Sequence, residues 1–126
     1  DRVSVRIPAD GVYVSTLRLA TASLAARCDL TVDDIEDLRL AVDEACALLL
    51  PLAGGEGGAG YLDAEFELAA RQLRFVASIP AADGADIDRD GFSWTVLDAL
   101  ATSVHVSDGA GRLSISVTKR REAAAR

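Results

Sequence analysis

Apolar residues recur at three- and four-residue steps through residues 31–52, which is the pattern of an amphipathic helix. Thr31 is the expected N-cap, with Asp34 as its capping-box partner, and Pro51 ends the helix. The predicted buried face consists of Ile35, Leu38, Val42, Ala45 and Leu49. We expect this helix to organise the fold.

Two carboxylates, Asp43 and Glu44, interrupt the apolar face of this helix. They lie too far from its start to be explained by the helix dipole, so at least one should sit at the edge of the buried face. Glu44 has two interpretations. It orients or deprotonates a nucleophile in a pocket, or it is an exposed acid paired with Arg39 or unpaired.

The remaining pattern alternates between strands of period two and short helices. It predicts strands at Arg2–Pro8, 61–68 (turn at 70–72), 73–79, 104–106 and 113–118, and helices at 12–28 and 92–103, the latter capped by Ser93. This order indicates an α+β two-layer sandwich, a mostly antiparallel sheet with helices on one face. We predict one domain at 1–118 and a charged tail at 119–126.

Charge and composition limit the classes of molecule that this protein can bind. The net charge is −7, with 20 acidic and 13 basic residues, which argues against direct nucleic-acid binding and is compatible with a basic protein partner. No apolar run approaches the ~20 residues of a membrane span, so we expect no membrane partner. For Cys28 and Cys46, buried free thiols are favoured and a disulfide is the alternative.

Metal and phosphate motifs are incomplete. The glycine-rich segment 54–60 follows a helix and precedes a strand, so a linker is favoured over a phosphate loop. The acidic segment 80–91 resembles the start of a calcium loop, but the twelfth position is Leu97, which favours a solvated loop. His105 stands alone on an edge strand. We predict no metal site, and we expect Trp94 to anchor the core.

Residues 37–46, DLRLAVDEAC, resemble the signature helix of the anti-sigma-factor serine/threonine kinases, which have the histidine-kinase-like (Bergerat) ATPase fold. The resemblance implies a cytoplasmic homodimer that withholds a sigma factor from RNA polymerase. It also implies release by an anti-anti-sigma factor, which such kinases phosphorylate on serine with Mg-ATP. Glu44 matches the catalytic glutamate of this family.

The nucleotide motifs of the family are altered. Leu48 stands where the family has its magnesium-binding asparagine. Of the adenine-binding box only Asp83 and Gly84 remain as candidate cofactor-binding residues. The second glycine box is replaced by the bulkier segment 91–94, which obstructs close approach of phosphates.

Three functions follow from this comparison. We expect an anti-sigma factor that binds its partners with ATP binding and kinase activity weak or lost, hence no cofactor. The first alternative is an active kinase that uses ATP and Mg. The second is an interaction module whose partner is not a sigma factor.

Overall fold

The computed structural model describes residues 1–54 and 60–121. Its elements in chain order are β1 (Arg2–Pro8), α1 (Val14–Ala25), α2 (Val32–Leu49), β2 (Tyr61–Ala69), β3 (Gln72–Pro80), α3 (Phe92–Leu100), β4 (Ser103–Gly109) and β5 (Arg112–Arg120). The five strands form one sheet in the order β1-β2-β3-β5-β4, and every neighbouring pair is antiparallel. The predicted α+β class is confirmed.

Helix α2 begins as the sequence predicts. The Asp34 amide donates to Thr31 Oγ1 at 3.1 Å, and the Thr31 amide donates to Asp34 Oδ2 at 3.1 Å, which completes the capping box. The helix ends at Leu49 and continues as a 3₁₀ turn, Leu50–Leu52. Proline has no amide hydrogen to donate, so Pro51 closes the helix here.

The core lies between the inner face of the sheet and the helices. The Phe66 and Phe75 rings meet at its centre, with centroids 5.2 Å apart. Aliphatic side chains surround them, and fully burying each such side chain stabilises the fold by roughly 1.5–3 kcal/mol. The largest aliphatic members are Leu17, Leu38, Leu49, Leu62, Leu73, Ile79, Leu97, Leu113 and Ile115.

The opposite side of the sheet, the outer sheet face, is polar. Its acids on β2, Asp63 and Glu67 among them, contact arginines of other strands. Arg6 Nε contacts Asp63 Oδ1 at 2.6 Å, and Arg74 Nη1 contacts Glu67 Oε2 at 2.6 Å. His105 lies exposed on the edge strand β4, as predicted.

Several predicted boundaries are wrong. The helix predicted at 12–28 is an α-helix only over Val14–Ala25, with a 3₁₀ turn at each end. The turn between β2 and β3 has two residues, because Ala69 still pairs with Gln72. Helix α3 ends at Leu100, since Ser103 already pairs with Thr118 in the sheet.

The C-terminal boundary needs correction as well. Strand β5 continues through Lys119 and Arg120, so a tail beginning at 119 would cut the strand. Lys119 Nζ donates to Asp37 Oδ2 at 3.1 Å and to the Leu100 carbonyl at 2.7 Å, which ties the strand to α2 and α3. The rest of the predicted tail, 122–126, and the glycine-rich segment at 55–59 lie outside the described residues.

Both cysteines are free and buried, as the favoured interpretation held. Burial raises the pKa of the Cys46 thiol to about 12, so this side chain is an inert part of the core. Within residues 1–54 and 60–121, every helix is too short or too polar to cross a bilayer.

Candidate functional site

Glu44 lies half-buried in the second half of α2, at the edge of its packed face. Its Oε1 accepts a hydrogen bond of 3.1 Å from Ser93 Oγ, in the first turn of α3. The predicted edge position is confirmed. The alternative pairing with Arg39 is wrong, because Arg39 Nη1 donates to Glu36 Oε1 at 2.9 Å one turn towards the start of α2.

Asp43, the neighbour of Glu44, has a structural contact. Its Oδ1 accepts from Arg18 Nη1 at 2.6 Å, which joins α1 to α2. The two adjacent carboxylates thus point to different helices, and Glu44 is the one that faces α3.

Leu48 follows Glu44 by one helical turn and is 9% exposed. It lines a cleft of about 370 Å³, here named the α2–α3 cleft, between the end of α2 and the start of α3. The described residues that line this cleft are Ala47, Leu48, Pro51, Leu52, Asp86, Asp88, Gly91, Phe92 and Ser93. The residue one turn after Glu44 is therefore an apolar side chain in the wall of this cleft.

The start of α3 is crowded by Asp88. A β-carbon built on Gly91, the N-cap residue, would stand 2.9 Å from Asp88 Oδ2. The predicted N-cap, Ser93, is wrong, because its hydroxyl donates to Glu44 and no side chain caps the helix. Phe92 turns outwards and is 78% exposed.

The carboxylates of the acidic segment turn to their own loop. Asp86 Oδ1 accepts from the Ile87 amide at 2.8 Å and from Arg89 Nη1 at 3.1 Å, and these two bonds lower the pKa of Asp86. Asp88 Oδ1 accepts from the Asp90 amide at 3.0 Å. In the part of the chain that the structure describes, no three His, Cys, Asp or Glu side chains group so as to hold a metal ion.

Asp83 and Gly84 lie elsewhere. They line a separate hollow of about 170 Å³ against the turn between β4 and β5. Gly84 has a φ of +84°, a conformation suited to glycine. Leu48 and Ser93 thus line one cleft, and Glu44 is joined to it by the hydrogen bond from Ser93. The two candidate cofactor-binding residues line another hollow.

Two features of the cleft differ from the sequence predictions. The sequence predicts Ser93 as a cap, whereas it is the hydrogen-bond partner of Glu44, 49 positions away along the chain. The sequence predicts Asp86 and Asp88 in a solvated loop, whereas they line the cleft. The one available signal was that Ser93 lies in the segment 91–94, where the family resemblance places a glycine box.

Trp94 is a core anchor as predicted, partly buried against the core. The Arg89 guanidinium lies over its ring, with Cζ 5.4 Å from the centroid. This contact fastens the acidic segment to the side of α3.

Comparison with known proteins agrees with the fold. Residues 7–119 match the model of the histidine kinase-like ATPase domain. Serine-protein kinase RsbW of Bacillus velezensis is 33% identical over 89 residues, 71% of this chain and 55% of the relative. The protein of the same name from Staphylococcus aureus is 34% identical over 79 residues, 62% of this chain and 50% of the relative.

A solved structure supports the same architecture. The crystal structure of the RsbU and RsbW domains of Rv1364c from Mycobacterium tuberculosis superposes with a TM-score of 0.73 at 19% identity, covering 100% of this chain and 34% of that one. The chain spans about half the length of the RsbW relatives that it matches. The resemblance seen in the α2 signature is confirmed, and the chain belongs to the histidine kinase-like ATPase domain family.

Proposed function

We propose that this protein is an anti-sigma factor that acts by sequestration. It binds a sigma factor, withholds it from RNA polymerase, and yields it when an anti-anti-sigma factor binds instead. We place it in the cytoplasm as a homodimer. The relatives named RsbW are serine-protein kinases, and here ATP binding and kinase activity are weak or lost.

The observation that carries the loss of nucleotide chemistry is Leu48. Magnesium takes oxygen ligands at ~2.0–2.1 Å, and a leucine side chain offers only carbon at the matched position, one turn after Glu44. Asp86 and Asp88, which line the same cleft, would repel the phosphates that the metal would otherwise neutralise. The residues of the cleft therefore do not suit Mg-ATP.

The state of Glu44 supports the same proposal. A catalytic base must reach the hydroxyl of its substrate, and the hydroxyl that Glu44 contacts in this structure is that of Ser93 in its own chain. The edge strand β1 supports the homodimer, because its outer side presents backbone groups that a second strand can pair with.

Titration calorimetry with Mg-ATP tests the nucleotide half of the proposal. We expect no heat above dilution at ~0.1 mM protein, whereas a Kd of about 1 μM, a binding free energy of about −8 kcal/mol, would give a saturating curve. Micromolar binding would defeat it. In vitro transcription tests whether the protein binds a sigma factor. RNA polymerase is combined with each sigma factor of the source organism in turn, and adding this protein should reduce transcription with one of them.

An active kinase is the second candidate, favoured by the retained Glu44 at the edge of a cleft that still holds about 370 Å³. Labelled ATP and an anti-anti-sigma substrate decide between the two. Phosphoserine formed by the wild type and absent with Glu44→Gln supports the kinase. No label in either reaction supports sequestration alone.

A further inference from the structure

The α2–α3 cleft has an apolar wall that includes Leu48, Leu52 and Phe92. Phe92 is 78% exposed, although it stands at the mouth of a concave site. Covering such a ring with a partner removes a large apolar area from water, and exposed aromatic rings beside clefts are typical of binding surfaces. The wall therefore suits the carbon atoms of an incoming side chain.

Acidic residues line the same cleft. Asp86 and Asp88 line it, and Glu44 reaches the edge of the cleft through its hydrogen bond to Ser93. Arg89 offsets one of these charges by its pair with Asp86 at 3.1 Å. Of the two carboxylates that line the cleft, Asp88 has only a backbone amide as its partner, so the cleft attracts a positive group and repels a phosphate.

We propose that the α2–α3 cleft binds an arginine side chain of a partner protein, next to an apolar residue of the same partner segment. The methylene stem would lie on Leu48 and Leu52, the guanidinium would stack on Phe92, and its N–H fork would donate to Asp88. Arginine fits better than lysine, because its planar, weakly hydrated head both stacks and forms paired hydrogen bonds. The proposal rests on the proposed function only in taking the partner to be the sequestered protein.

In this proposal the cleft binds a cationic arginine side chain where the related kinases would bind anionic ATP. Replacing a metal ligand by leucine removes the means of binding phosphate, and it adds apolar surface where an alkyl stem can lie. Asp88 would repel a phosphate group, whereas it would accept hydrogen bonds from a guanidinium group. One substitution in α2 thereby favours a basic protein segment over Mg-ATP.

The test is an NMR titration of ¹⁵N-labelled protein with a capped pentapeptide, Leu-Arg-Leu-Arg-Leu. The control peptide carries citrulline, the neutral isostere, in place of each arginine. We expect amide shifts at Leu48, Asp88 and Phe92 with the arginine peptide alone. Raising the ionic strength from ~0.05 to ~0.5 M should weaken the binding, because the charged walls are partly open to solvent.

Two variants and two matched controls locate the binding. Phe92→Ala and Asp88→Asn should each raise the Kd about tenfold, as removal of a central contact does. Tyr61→Ala removes an aromatic residue that is 52% exposed on β2, and Asp33→Asn removes an exposed acid at the start of α2. Both controls should leave the Kd within about twofold, which is under ~0.5 kcal/mol.

Three outcomes would overturn the inference. They are equal shifts with the citrulline peptide, a loss of affinity in Asp33→Asn equal to that in Asp88→Asn, and displacement of the peptide by Mg-ATP. Failure of the proposed function is read separately, as the absence of any inhibited sigma factor in the transcription assay. A cleft that binds the arginine peptide in a protein that inhibits no sigma factor retains the inference and rejects the function.

Discussion

The outer sheet face and the α2–α3 cleft both carry acids but differ in how those acids are neutralised. On the sheet, Asp63 is shared by Arg6 at 2.6 Å and Arg112 at 3.0 Å. In the cleft, Asp86 contacts one arginine, and Asp88 accepts from the backbone of its own loop. An acid on a strand faces neighbours chosen by register, whereas an acid on a loop has its own backbone as the nearest donor.

The acids of this chain, whose net charge is −7, are thus neutralised to different degrees in the two regions. The acids of the outer sheet face stabilise the sheet, because each cross-strand pair of opposite charge stabilises the register. The cleft leaves its acids available to a ligand. A functional site is thus better sought where the charges remain unbalanced than where they are most numerous.

The largest expected effect tests whether the apolar wall of the cleft belongs to the core. Leu48→Ala should lower the free energy of unfolding by about 2–3 kcal/mol, because Leu48 is nearly buried and leaves a cavity. Urea denaturation followed by circular dichroism measures the change. The matched control is Leu40→Ala on the same helix, at a residue 50% exposed, for which less than about 1 kcal/mol is expected.

A loss from Leu48→Ala no larger than that from Leu40→Ala would show that the cleft wall carries no packing energy. The contrast with the outer sheet face, where stability comes from paired charges, would then need another explanation.

The intermediate effect tests the paired charges. Asp63→Asn should cost about 1 kcal/mol at low salt, since it weakens contacts to two arginines that are themselves partly exposed. Among the residues that the structure describes, Asp88 forms no ion pair, so Asp88→Asn should cost less than about 0.5 kcal/mol. Denaturation in ~0.05 and ~1 M NaCl should show the first loss shrinking with salt. Equal costs for the two variants would contradict the comparison.

The smallest effect concerns Asp86, whose pKa is lowered from 3.8 chiefly by the hydrogen bond from the Ile87 amide and next by Arg89. A lowered pKa in the folded state stabilises the protein above pH 3.8, and this contribution disappears as the pH falls through the lowered value. Asp86→Asn should therefore melt slightly below the wild type at pH 7.

The two melting temperatures should converge in acid. Differential scanning fluorimetry between ~pH 7 and ~pH 3 follows them. Arg89→Gln is the control, because it removes one of the two causes of the shift and should retain part of the pH dependence. A gap between wild type and Asp86→Asn that widens towards pH 3 would show the opposite sign and contradict the assignment.

Local patterns in the sequence suffice to predict the helices, the strands and the face of each that is buried. The capping box of Thr31 and Asp34 and the alternation in β2 and β3 depend on residues a few positions apart. Their physical causes, capping, helical period and pleat, act over that distance. The family resemblance also came from one uninterrupted segment of α2. The local sequence predicts the ends of the elements less well. Helix α3, for example, ends before Ser103 because Ser103 pairs with Thr118 of β5 in the sheet.

The set of side chains that meet in the α2–α3 cleft depends on tertiary packing. Glu44 was singled out in the sequence, but its partner Ser93 stands on another helix, and the packing of α2 on α3 selects it. The same packing brings Asp88 to the apolar wall around Leu48 and leaves Asp83 outside the cleft. Contacts between distant segments depend on how whole helices and loops settle on the sheet, and no local pattern of residues specifies that geometry.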